Sequence, residues 1–346
     1  MSGIPVIFLS FLWAFLISVF AIPSIIQIAH TKKLLNEPNG RTIHAYLTPR
    51  LGGLAIFSGF MSALTIFGRL EHGVQHLLAG CIVLFFIGLK DDIISVSAFK
   101  KFFVQILATG IVVFMADIRI TSFQGLMGIY ELENGISYGF TFLAIIGITN
   151  ATNLIDGLDG LAGTIIIIIA VSFGVYFYLY GGEQYSAYAD VAVCLAGGIL
   201  GFLRYNFHRA VIFMGDAGSL VCGFIISVMA IQFVEMRATD SSPSIAIGIL
   251  FIPLLDTLRV TIIRLYRGIS PFTPDKNHIH HCLMSLGFAQ LSTVAALGFF
   301  NVLIVLFVIF SQQWGVNLQL FILLFVSVLF SFVLGYLVKF KRLKTE

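Results

Sequence analysis

The chain has 346 residues, 58% of them hydrophobic and only 11% charged, with a formal net charge of +3. A soluble domain carries about 25% charged residues, so this composition excludes an ordinary water-soluble fold and points to an all-α polytopic integral membrane protein. The four cysteines fall at unpaired spacings, which gives no disulfide framework, and so small a charge calls for no nucleic-acid partner.

Apolar stretches that suit a bilayer recur at roughly residues 4–29, 51–68, 74–89, 101–116, 137–152, 161–180, 188–204, 218–236, 245–265, 289–311 and 318–339, about eleven transmembrane helices. The third, fourth and fifth are short, which is acceptable where a helix end lines a polar cavity. The first has no basic residue before it and no small-residue cleavage pattern, so it reads as a retained helix. No repeat, low-complexity segment or long hydrophilic linker interrupts the chain, and residues 1–346 are expected to form a single membrane-embedded domain. The longest outer segment, residues 117–136, reads as a small amphipathic helix or a hairpin.

Basic residues set the sides. With the N-terminus outside and the C-terminus cytoplasmic, the inner loops hold Lys32, Lys33, Arg41, Arg50, Lys90, Lys100, Lys101, Arg204, Arg209, Arg264, Arg267, Lys276, Lys339, Lys341, Arg342 and Lys344. Only Arg69, Arg119 and Arg237 fall outside, and Arg259 lies within a span. This topology brings four polar breaks to the cytoplasmic face, and they carry the chemistry.

The first break holds Asp91 and Asp92, directly after a short helix. They read as a solvated helix end, or as acids compensated by Lys90, Lys100, Lys101 or a metal, because negative charge opposes the dipole at a helix C-terminus. In the second, NATNLIDGLDGLAG, Asn153, Asp156 and Asp159 recur every third residue and would share one face of a helical turn. An N-cap needs one acid; two acids beside Asn150 and Asn153 exceed that need and favour a site. The third, FMGDAGS, places Asp216 at a helix start, as a cap, as a metal ligand, or beside free N–H groups suited to phosphate. The fourth carries His278, His280, His281 and Cys282. Their spacing is too compact for an ordinary zinc site and fits a phosphate-binding edge, with a solvated loop as the alternative. Asp256 and Arg259 share one face of a helix and read either as a cavity-facing pair or as an internal ion pair.

Taken together, PNGRTIHAYLTPRLGG, GLKDD, NATNLIDGLDGLAG, NFHRAVIFMGDAGS and SPFTPDKNHIHH resemble the polyprenyl-phosphate N-acetylhexosamine-1-phosphate transferase family (glycosyltransferase family 4). The resemblance runs from about residue 36 to 281 and is nearest the undecaprenyl-phosphate GlcNAc-1-phosphate branch. Any one string is modest evidence, whereas five in order are specific. The resemblance implies transfer of a sugar 1-phosphate from a UDP-N-acetylhexosamine to undecaprenyl phosphate with release of UMP. It implies Mg²⁺, with Mn²⁺ as a substitute, and a multi-pass protein of the bacterial cytoplasmic membrane, its active site facing the cytoplasm and with room for a homo-oligomer. By position, Asp91 and Asp92 match an acidic pair proposed to activate the lipid phosphate. Asp216 matches a magnesium ligand, and Asn153 a residue near metal and diphosphate. Asp156 and Asp159 match the nucleotide-site loop, Phe213 a residue that stacks on uracil, and Lys101 a phosphate contact. His278, His280 and His281 match the loop that grips the diphosphate. HIHH favours UDP-GlcNAc, with other UDP-N-acetylhexosamines and UDP-MurNAc-pentapeptide as alternatives. Two departures stand out: Asn36, before Glu37 and Pro38, occupies a place where many relatives have Asp, and Lys90 replaces a residue that is often apolar. A cation-coupled transporter and a docking scaffold are the rivals from other classes.

Overall fold

A computed structural model describes residues 3–34, 48–270, 273 and 275–345. The expected all-α, polytopic character holds. Among the described residues eight helices are long and apolar enough to cross a bilayer, nine if one bent pair counts as a span, and a shorter apolar helix adds to these. The chain groups into two compact units, Met1–Ser122 with Leu132–Ala238, and Phe123–Glu131 with Thr239–Glu346.

The first unit holds α1 (Ile4–Thr31), α2 (Gly52–Phe67), α3 (Val74–Ile93), α4 (Ala98–Gly110), which runs on into a widened π turn over Ile111–Met115, α5 (Asn134–Leu154), α6 (Leu161–Tyr180), the short α7 (Gly182–Tyr185), α8 (Ala187–Asn206) and α9 (Gly215–Met236). Helix α9 is the core: nine-tenths of its apolar span is buried, and α2, α3, α5 and α6 pack on it. Lipid tails supply no hydrophobic force between helices, so close approach through small residues does the work. On α1 the buried Ser10, Ala14, Ser18 and Ile22 recur every fourth residue and face α2 and α8. A Cβ added at Gly59 of α2 or Gly201 of α8 would stand 2.6–2.7 Å from the carbonyls of Ala14 and Phe15.

The second unit holds a hairpin, β1 (Ser122–Leu126) and β2 (Ile129–Glu131), whose residues from Phe123 to Glu131 group here, with α10 (Ser242–Ile249), α11 (Phe251–Tyr266), α12 (Ile279–Ser285), α13 (Gln290–Phe310) and α14 (Val316–Thr345). The hairpin resolves the open reading of residues 117–136. Asn317 fixes it, accepting from the Met127 N–H at 2.7 Å and donating to the Gly125 carbonyl at 3.0 Å. The ninth expected span is broken: α10 and α11 meet at 77°. Pro253 has no N–H to give the Ile249 carbonyl, so α10 ends there. Asn301 of α13 repairs the gap, donating to the Ile249 carbonyl at 3.4 Å and accepting from the Ile252 N–H at 3.3 Å.

Candidate active site

Asp91 and Asp92 lie inside the last turn of α3 rather than beyond it, and their charges are met in different ways. Asp91 accepts from the Val96 N–H at 2.5 Å and from the Lys101 ammonium at 3.1 Å. Lys101, in the first turn of α4, also donates to Asp216 at 2.7 Å, so one cation sits between two carboxylates. These side chains keep 18–24% of their surface exposed, open enough for a ligand to reach them.

Asp92 turns to α9, where one oxygen accepts from the Asp216 N–H at 2.7 Å and the other from the Ala217 N–H at 2.9 Å. The electronegative end of α3 thus meets the electropositive end of α9. Two of the N–H groups expected to await a phosphate, those of Asp216 and Ala217, are taken by this carboxylate. Gly215, at φ +73, makes the approach possible: a Cβ there would stand 2.6–2.7 Å from both Asp92 oxygens.

Asn153, Asp156 and Asp159 do not share one helical face, because α5 ends at Leu154. Asn153 donates to the Ser219 hydroxyl at 2.7 Å, three residues beyond Asp216 and therefore on its side of α9. Asp156 is half-buried in the following turn. Loss of water pushes its carboxyl well above the usual range, and the charges of Asp216 and Asp92 add to this while Arg50 opposes it. Asp159 does not cap α6, whose start is formed by Gly160 at φ +78; it accepts from the Ala210 N–H at 3.0 Å. Asn206 completes the tie, accepting from the Gly160 N–H at 2.8 Å and donating to the Ile212 carbonyl at 2.9 Å. Sequence reasoning overlooked Asn206, and it singled out Asn150 of α5 without its partner, the Gln105 amide of α4 at 2.7–3.2 Å. An isolated Asn or Gln in an apolar helix was the available signal.

Half-buried Phe213 is set by its backbone, donating to the Pro49 carbonyl at 2.8 Å and accepting from the Gly52 N–H at 2.9 Å. PRLGG and FMGDAGS, about 160 residues apart in sequence, are thereby paired. Asn36 lies outside the described residues.

In the second unit, His278 opens α12 and its Nδ1 donates to Asp256 at 2.7 Å. Asp256 also accepts from the Ile279 N–H at 2.7 Å, and Arg259 donates to the Asn277 carbonyl. Asp256 and Arg259 therefore hold the histidine loop instead of forming the ion pair considered from sequence. Asp275 joins Arg264 and both Asn277 N–H donors, each at 2.9 Å. His280 is buried between His278 and His281, with ring centroids at 5.8 and 4.3 Å, and its Nε2 has no hydrogen-bond partner among the described residues.

Among the described residues no three His, Cys, Asp or Glu side chains form a metal set, so the compact zinc reading gains no support. Magnesium needs less, since it takes one or two carboxylates together with substrate phosphates and water. Oxygens of Asp91 and Asp216 already converge on one positive point, and Asn153 reaches Ser219, one turn along α9 from Asp216. This donor set fits a hard divalent cation.

The glycosyl transferase family 4 model matches residues 74–234. A probable undecaprenyl-phosphate N-acetylglucosaminyl 1-phosphate transferase of Bacillus subtilis is 32% identical, over 93% of this chain and 90% of its own length. A decaprenyl-phosphate N-acetylglucosaminephosphotransferase of Mycobacterium tuberculosis is 33% identical, over 83% of this chain and 78% of its own. The undecaprenyl-phosphate alpha-N-acetylglucosaminyl 1-phosphate transferase of Escherichia coli is 29% identical, over 94% and 90%.

Proposed function

The chain belongs to glycosyl transferase family 4, the polyprenyl-phosphate N-acetylhexosamine-1-phosphate transferases, and on that premise we propose that it transfers GlcNAc-1-phosphate from UDP-GlcNAc to undecaprenyl phosphate. An oxygen of the lipid phosphate attacks the β-phosphorus of UDP-GlcNAc, the bond to the α-phosphate oxygen breaks, and UMP leaves. The product begins a cell-envelope polysaccharide. Sixteen basic residues assigned to the inner loops and the bacterial relatives support a site on the cytoplasmic face of the bacterial inner membrane.

The observation that carries this reading is the Asp91–Lys101–Asp216 bridge. Acceptor and donor are both anions, so the site must neutralise charge before they approach. Bound Mg²⁺, held by Asp216 with Asn153 beside it, would supply positive charge of the kind phosphoryl transfer uses. Lys101 is the protein's own cation at that point, and a phosphate can draw it from the two carboxylates. A phosphate monoester has a second pKa of about 6 and is largely dianionic at neutral pH, so the acceptor needs no strong base. Asp91 is then an orienting group, and Asp92 acts by holding the start of α9. Asp156 is assigned to the nucleotide-site loop, Asp159 to fixing the segment before Phe213, and the histidine loop to the diphosphate. Purified protein given UDP-GlcNAc, undecaprenyl phosphate and Mg²⁺ should release UMP; no release would sink the proposal. A panel of UDP-N-acetylhexosamines and UDP-MurNAc-pentapeptide then fixes the donor.

A further inference from the structure

Asp256 is 2% exposed, in a helix where a charge is costly. Both of its oxygens are used: one accepts from His278 Nδ1 and the other from the Ile279 N–H, each at 2.7 Å. Tethering α12 alone would need only the backbone contact, which a neutral Asn could make. The imidazole contact does something more. A carboxylate on Nδ1 keeps a proton there and leaves Nε2 as the nitrogen free to meet a ligand. From α11, Arg259 fixes the same loop, donating to the carbonyl of Asn277 just before His278 and reaching Cys282 Sγ at 3.7 Å. Other charged or titratable groups among the described residues here include Arg264 of α11, paired with Asp275 of the loop, Lys276 in the loop, and His280 and His281 on α12. Burial, with His281 next, brings His280 down to about 3 and holds it neutral, so the three histidines are not equivalent.

Resting on the transferase reading above, we propose that Asp256 is a positioning residue of the reaction, which orients His278 so that Nε2 is presented to an anionic diphosphate. His278 is then the histidine that meets ligand charge, and His280 is a packing element between its neighbours.

The test uses the full-length protein in nanodiscs, as wild type, Asp256→Asn and His278→Gln. ¹⁵N-histidine spectra should show one Nδ1-protonated ring that His278→Gln removes and Asp256→Asn shifts. UMP release by Asp256→Asn should fall about 10- to 100-fold, as when a partner that orients a functional histidine is lost. The loss should sit in kcat, with a changed pH profile and the melting temperature near wild type. An unshifted ring in Asp256→Asn would overturn the dyad. A shifted ring with unchanged kcat and pH profile would overturn its role in the reaction. No UMP from wild type would overturn the transferase reading and that role with it, while the spectra still decide the Asp256–His278 contact.

Discussion

Asp92 and Asp216 meet through the peptide backbone: the carboxylate of one lies 2.7 Å from the N–H of the other and 2.9 Å from the next. The two acids are therefore separable by experiment. Asp92→Ala removes the acceptor of two backbone donors and should cost about 1–3 kcal/mol, read as a lower melting temperature. Asp216→Asn leaves those backbone bonds in place, so it should melt near wild type while UMP release drops at least about 100-fold, the scale for a lost electrostatic group.

Lys101 separates two carboxylates. Lys101→Met leaves Asp91 and Asp216 facing each other without a cation, and UMP release should fall about 100-fold or more. Lys101→Arg keeps the charge but not the compact ammonium, and an intermediate rate is expected. Steady-state assays of the two variants check the order.

Gly215→Ala is expected to fail twice over. Its φ of +73 disfavours any side chain, and the added Cβ meets the Asp92 carboxylate. A loss of about 1–3 kcal/mol from backbone strain should appear as a lower melting temperature, with activity falling alongside it.

Acid should weaken the second unit through His280. Its folded value, about 3, lies below the ordinary 6.5. Between those values the unfolded chain takes up a proton that the folded chain refuses, so stability falls as pH drops from 6.5 towards 3 and is level above 6.5. Melting curves across that range should show a smaller decline for His280→Gln than for wild type.

Much of this was legible in the sequence because a bilayer constrains a chain strongly. Each of the eleven expected stretches carries helix, since lipid leaves the backbone few alternatives. The hydropathy of residues 245–265 concealed the break at Leu250, although Pro253 marked it. The acids were legible as a set but not in their partners. Asp92 on the start of α9, Asp159 on Ala210 and Asp256 on His278 each join residues 22 to 125 positions apart. Such contacts depend on how helices cross, which no local pattern records.

Where α3 meets the start of α9, a Cβ on Gly88 would come within 2.5 Å of the Ala217 backbone, and Gly53 of α2 is as tightly placed against Gly218. Replacing helical glycine by alanine is a common route to a sturdier protein, worth about 0.5–1 kcal/mol per site. At Gly53 and Gly88 that route closes, since the added methyl would wedge α2 and α3, respectively, away from the start of α9 that carries Asp216. Thermostabilising this protein will have to begin elsewhere, on exposed helix faces and loops.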